Sequence, residues 1–320
     1  MQEGPVYWIG FLVFVFVMLV LDLGVFHKKN ETMRVRPALM WSLFWISLAL
    51  LFNAGIYLWL DKTKALEFFT AYLLEKSLSV DNLFVFIMIF TYFNIEPKYQ
   101  HRILFWGIIG ALIMRAAFIF AGVALITKFS WVMYIFGVFL VYSGIHMLFQ
   151  KEEEENFNPN KNIVIRLFRK IMPVSGENHG HSFFTRINGK LHATTFFVAL
   201  LFIEVSDVIF AVDSIPAVLS VSKDTFIIFT SNIFAILGLR SLYFALSGVM
   251  RYFYYLKYAL AGILTFIGLK MCLNELNTEF GYAFHISNRL SLGVIVGMLG
   301  ISIIFSVMVK KRREKQLREI

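Results

Sequence analysis

The stretch TTFFVALLFIEVSDVIFAVDSIPAVLS, residues 194–220, decides the fold class of this chain. It is long enough to cross a bilayer, which takes about 20 apolar residues. It nevertheless carries Glu204, Asp207 and Asp213 within its apolar run. Outward from it the same pattern recurs at 6–27, 38–60, 66–93, 102–126, 130–149, 225–249, 254–273 and 290–309. The expected fold is an all-α integral membrane protein of about nine transmembrane helices, with 1–320 forming a single polytopic membrane domain.

Composition agrees. Of the 320 residues 58% are hydrophobic and 16% charged, where an ordinary soluble domain has about 45–50% and 25%. Such a chain requires a lipid bilayer as partner. The net charge of +9 would suggest nucleic acid in a soluble protein. Here the basic residues fall mainly in short connections, so they set topology and nucleic acid is excluded as a partner. The single cysteine, Cys272, allows neither an internal disulfide nor a cysteine metal cluster. Gln2 and Glu3 begin the chain and Lys28 and Lys29 follow the first apolar run, which is the reverse of a secretory signal.

Positive charge orients the helices. With the N-terminus outside, the inner segments hold 21 Lys and Arg against 5 in the outer ones, as cytoplasmic loops require. The C-terminus is then cytoplasmic, and 310–320 is a basic tail beside the membrane. The one long connection, 150–193, lies between helices five and six on the cytoplasmic side. Its acidic and Asn-rich first half reads as a solvated loop. Residues 163–170 read as a short basic surface helix. The His179-x-His181 pair has metal-ligand spacing, but on a polar loop such a pair is more often solvated.

Two helices carry the chemistry. The third reads Glu75-Lys76-Ser77-Leu78-Ser79-Val80-Asp81-Asn82, and the sixth reads Glu204-Val205-Ser206-Asp207 through Asp213-Ser214 to Pro216. Asp22, near the inner end of the first helix, is a further acid on a possible ion path. An ionisable residue at the bilayer centre costs about 2.5–3.5 kcal/mol, so five acids cost on the order of 12–17 kcal/mol if uncompensated. Lys76, Arg115 and Arg240 are the buried cations available to them. Acids still exceed bases, which points to a bound cation; a structural ion-pair network is the competing reading.

The two acidic helices also resemble each other. Aligning Asp81 with Asp213 pairs Glu75 with Asp207 and Asn82 with Ser214, and a lone arginine follows one helix later in each half. Helices 3–5 and 6–8 are therefore expected to form an inverted repeat, a common plan of secondary transporters. Antiparallel crossing would set Glu75 level with Asp213 and Asp81 level with Asp207. Six residues also rotate a helix by about 240°, so a straight helix cannot aim both acids at one axis. A break at Pro216 is the expected remedy.

The candidate ligands are Glu75, Ser79, Asp81, Asn82, Glu204, Asp207, Asp213 and Ser214. All are oxygen donors, which suit Mg²⁺, Ca²⁺ or Mn²⁺; protons and Na⁺ stay open. No tightly bound cofactor is expected. The sequence contains no His-Glu-x-x-His or Gly-x-Ser-x-Gly, so enzyme chemistry is not expected.

At Glu75–Asn82 and at Glu204–Ala217 the sequence resembles the TerC family of bacterial membrane proteins, in particular its Alx-type branch, which is linked to alkaline pH. Glu177–Phe184 and Leu21-Asp22-Leu23-Gly24 share the likeness, which covers most of the chain. The family is named for tellurium resistance and grouped with LysE-type transporters. Several members are understood as manganese exporters. The resemblance implies a bacterial inner-membrane transporter that exports Mn²⁺ for metal homeostasis, with Glu75, Asp81, Glu204, Asp207 and Asp213 binding or relaying the ion. The alternative is a non-transporting scaffold of a tellurite, metal or pH stress-response complex. Nothing in the sequence sets the oligomeric state.

Overall fold

The computed structural model describes residues 4–26, 35–129, 131–149, 172–175, 182–187, 189–246, 255–280 and 286–318. Its elements are α1 (Pro5–Phe26), α2 (Val35–Trp59), α3 (Lys62–Tyr92), α4 (Pro97–Lys128), α5 (Val132–Phe149), β1 (Phe184–Ile187), β2 (Lys190–Ala193), α6 (Thr195–Leu219), α7 (Thr225–Leu237), α8 (Leu239–Leu246), α9 (Leu256–Phe280) and α10 (Asn288–Arg318). Helices α7 and α8 form one span, Thr225–Leu246, interrupted at Gly238. Seven spans among the described residues are long and apolar enough to cross a membrane. In α1 the apolar stretch is shorter, Pro5–Leu21. Helix α3 has ample length, but Lys62, Lys64, Glu67, Glu75, Lys76 and Asp81 interrupt its apolarity. The chain is an all-α, multi-pass integral membrane protein.

Packing follows the internal repeat. Helix α3 packs on α7 and α4 packs on α6, while α5 packs on α9. The first two pairings exchange under a pseudo-two-fold axis and the third maps onto itself. Two bonds fix α3 antiparallel to α6: Ser222 donates to Glu67 at 2.6 Å, and Asn82 donates to Asp207 across 3.4 Å. Helices α5 and α9 also cross antiparallel. Gly137 faces Gly268 and Cys272, while Gly144 faces Ala261 and Thr265. Small residues seven apart on α5 lie on one face, two turns apart, so the backbones approach closely; packing of this kind drives helix association in lipid.

The core divides in two. One apolar cluster takes Phe68, Ala71 and Leu74 of α3, Ile119 and Ile126 of α4, and Ala211, Ile215 and Leu219 of α6. The other takes Leu83, Phe86 and Ile89 of α3, Ile103 and Ile108 of α4, and Phe196 and Phe202 of α6. Between them, on all three helices, lies the charged segment.

At the start of α6 the last part of the long connection 150–193 forms a β-hairpin. Strand β1 pairs antiparallel with β2 from Phe184–Ala193 to Ile187–Lys190. Gly189 has φ +78°, which glycine adopts without steric cost, and lies in the turn. Thr194 donates its hydroxyl to the Ser182 carbonyl at 2.6 Å, tying the hairpin to the α6 N-terminus. The acidic run Glu152–Glu155, the proposed surface helix at 163–170, His179 and His181 lie outside the described residues. In the tail, α10 continues as helix to Arg318.

The expected break at Pro216 does not occur where the acids need it. Helix α6 is continuous from Thr195 to Leu219, and Pro216 sits in its last turn. A proline there removes only the bond to Val212. The interrupted span is instead α7–α8, at Gly238.

Candidate functional site

Arg115 lies at the centre of the charged belt. It is buried, and its guanidinium forks between two helices. Nε and Nη2 donate to the two carboxylate oxygens of Asp207 on α6, each at 3.4 Å. Nη1 donates to Glu75 Oε2 on α3, and this ion pair is fully buried. A guanidinium presents several donors in one rigid plane, so a single arginine can hold two carboxylates that cannot reach each other.

The bonds between α3 and α6 set their register. They place Glu75 opposite Ser214, and Asp81 opposite Val208. Glu75 is thus within one residue of the level of Asp213, and Asp81 within one of Asp207. Rotation separates what level brings together. Asp213 turns to α5, where Ser143 donates to its Oδ1 at 3.0 Å. Glu204 turns to α4, where its carboxylate fills the space beside Gly110 that a Cβ would occupy. A straight α6 therefore aims Asp207, Glu204 and Asp213 in different directions, and Arg115 bridges the levels of Glu75 and Asp207.

Several oxygens in this belt are buried with no hydrogen-bond partner among the described residues: Glu75 Oε1, Ser79 Oγ and Asn82 Oδ1 on α3, and Glu204 Oε2 and Ser214 Oγ on α6. Residues 75, 79 and 82 follow helical spacing and share one face. Each orphaned buried polar group costs about 1–3 kcal/mol. Such oxygens suit a hard cation or ordered water. Among the described residues, no three His, Cys, Asp or Glu side chains form a metal-binding group by themselves. The helical positions of Asp22 and Asp81 are described; their side chains are not.

The other two cations come from α3 and α8. Lys76 donates to the Ala235 carbonyl at 3.2 Å, near the C-terminal end of α7. Its Nζ lies only 2.8 Å from where a Cβ on Gly238 would stand, so the helix interruption leaves room for the ammonium. Arg240 is buried on α8.

Sequence reasoning missed a second polar group, at the end of the bundle remote from the hairpin. There a cleft of about 400 Å³ is lined by Glu67, Lys223, Lys270, Asn274, Glu275 and Asn288. Lys270 donates to Asn288 at 2.8 Å, and Asn288 donates to the Val221 carbonyl at 3.0 Å. Nearby, Asp224 caps α7 by accepting from Phe226 N at 3.0 Å and pairs with Lys64 at 2.8 Å. The charges in this cleft are balanced, unlike those of the central belt. Sequence reasoning also missed Gly110 and Ser143, whose signal is only their distance from any motif.

Residues 60–314 match the family described as "Integral membrane protein TerC family". An uncharacterised membrane protein of Myxococcus xanthus is 47% identical over 304 residues, covering 95% of this chain and 92% of its own. Proteins named "Putative membrane-bound redox modulator Alx" are 43% identical in Salmonella typhi, covering 98% of both chains, and 42% identical in Escherichia coli K12, covering 98% and 97%. No solved structure matches the chain. On this coverage and identity, the chain belongs to the TerC family of integral membrane proteins.

Proposed function

We propose that the chain is a secondary transporter of the bacterial inner membrane that exports a divalent metal ion, Mn²⁺, from the cytosol. The observation that carries this reading is the belt between the two apolar cores. Carboxylate, amide and hydroxyl oxygens of Glu75, Ser79, Asn82, Glu204 and Ser214 are buried there without partners. Oxygen donors favour hard divalent cations, and Mn²⁺ is chosen within that class by the family resemblance. Asp81 and Asp213 belong to the same ligand pool, and Asp22 to the path. The two apolar cores would act as alternating gates, with the half-repeats rocking about the belt. Carboxylates that release a metal can take up protons, so proton exchange is the proposed drive. In this reading the N-terminus lies outside and the C-terminus in the cytoplasm, as the distribution of positive charge supports.

The printed name of the Alx relatives supports a second reading, a membrane-bound modulator of redox state. Cys272 is the only cysteine of the chain, so it cannot cycle an internal disulfide. A redox effect would then act through metal flux or through a partner complex, as a scaffold.

The test is total cellular manganese in cells lacking the protein, challenged with Mn²⁺ and complemented with wild type, Asp81→Asn or Asp213→Asn. Export predicts that wild type lowers manganese and that neither variant does, at equal expression. Flat manganese with wild type would leave the scaffold reading in its place.

A further inference from the structure

Asn232 is a buried polar residue that the belt described above does not use. It is fully buried in α7, and both Oδ1 and Nδ2 lack a hydrogen-bond partner among the described residues. Flipping the amide does not help, since neither end has one. Its neighbours in sequence have solved the same problem locally: Thr230 donates to Phe226 O at 2.7 Å and Ser231 donates to Ile228 O at 3.0 Å. The asparagine amide is left without such a bond.

Its direction follows from helical phase. Phe226, Phe229 and Phe234 face α1, packing on Trp8 and Phe11. At 100° per residue, Asn232 falls on the opposite half of α7. That half meets α3 and α4, the helices α7 packs against most. The level follows from contacts. Phe229 packs on Phe120 of α4 at 5.8 Å. Moving from that contact toward the hairpin end, Asn232 is three residues along α7 and Arg115 is five along the antiparallel α4. The two are thus within about 3 Å in height. On the other side, Lys76 reaches Ala235 O, one turn beyond Asn232. The amide therefore faces the groove between α3 and α4 at the height of the Glu75–Arg115 pair. Tyr72 stands there too, one turn from Glu75 on α3, with a buried hydroxyl that has no partner among the described residues.

We propose that Asn232, with the Tyr72 hydroxyl, forms a neutral subsite for a partly dehydrated divalent cation beside the free Oε1 of Glu75. This rests on the transport reading above and extends it from α3 and α6 to α7. Neutral oxygens suit this position. They replace water ligands without adding charge beside Arg115, so the ion is held weakly enough to leave toward the polar cleft at Glu67. The subsite sets selectivity among hard cations by ligand number, while the carboxylates supply attraction.

The test uses full-length protein in liposomes and in detergent. Asn232→Leu has nearly the same volume and removes the unsatisfied amide. A residue that is merely structural would be replaced without loss, because removing a buried orphan polar group is neutral or stabilising. The expected result is a variant that melts no lower than wild type, yet needs at least about tenfold more Mn²⁺ for half-maximal flux and loses the rise in melting temperature that Mn²⁺ gives wild type. Asn232→Asp should lower the half-saturating concentration and slow turnover. Unchanged half-saturation and unchanged Mn²⁺ stabilisation in Asn232→Leu overturn the subsite while leaving the exporter intact. Absence of Mn²⁺ flux and of Mn²⁺ stabilisation in wild type overturns both. Should Asn232→Leu fail to fold, Tyr72→Phe, which deletes only the hydroxyl, is held to the same criterion.

Discussion

Arg115 of α4 grips Asp207 of α6 through two parallel bonds, Nε to Oδ2 and Nη2 to Oδ1, both at 3.4 Å, while its remaining nitrogen serves Glu75. One buried cation thus holds two buried anions on different helices. Removing a single partner from such a cluster costs about 3–5 kcal/mol, since the charge left behind keeps its desolvation penalty. Arg115→Met should lower the melting temperature of the purified protein markedly. Adding Glu75→Gln and Asp207→Asn to it should recover most of that loss without restoring Mn²⁺ flux. Stability that stays low in the triple variant would mean that Arg115 acts by packing and not by charge.

Gly110 makes room for Glu204. A methyl group at that position overlaps the carboxylate itself, and the carboxylate, unlike backbone, can swing away. Gly110→Ala is expected to cost about 1–3 kcal/mol of stability, as overpacking does, and to reduce export strongly. Shortening the acid in the double variant Gly110→Ala with Glu204→Asp should restore part of the flux. Normal export by Gly110→Ala alone would remove Glu204 from the pathway.

Asp213 and Ser143 separate charge from hydrogen bonding. Ser143→Ala deletes one neutral donor to a carboxylate, worth about 1.5–3 kcal/mol at most for a bond to a charged group. It should raise half-saturating Mn²⁺ or lower flux only a few-fold. Asp213→Asn keeps an acceptor for Ser143 and removes the charge, and should abolish flux at near-normal expression. Vesicle uptake assays on both distinguish the roles; equal effects would assign Asp213 to packing.

The α5–α9 crossing has no slack. A Cβ on Gly268 would stand 2.5 Å from the Gly137 carbonyl oxygen and 2.8 Å from Val141 N, both backbone atoms. Gly268→Val should destabilise by at least about 1–3 kcal/mol through forced separation of the helices. Gly10→Ala and Gly297→Ala, where a Cβ meets nothing within 4 Å, serve as controls and should melt like wild type. A silent Gly268→Val would show that the crossing is loose in the membrane.

The sequence by itself determined the solvent of this protein, where its apolar helices lie, and which helices hold the acids. Those follow from apolar length, charge placement and the six-residue spacing shared by Glu75–Asp81 and Asp207–Asp213, all of which are one-dimensional properties. Even the relative heights of the acids were legible, because antiparallel helices of uniform rise convert residue number into depth. Where each side chain points was decided only in three dimensions. Rotation by 100° per residue sends Asp207 to Arg115 and Asp213 to Ser143, and which neighbour stands in each direction depends on packing between segments far apart in the chain. The same cause placed the interruption at Gly238, where α3 brings Lys76 to the end of α7, and not at Pro216, whose lost bond falls in a turn that was ending anyway. It also buried Asn232 without a hydrogen-bond partner among the described residues, which no local pattern announces, because a polar side chain's satisfaction depends on helices contributed from elsewhere.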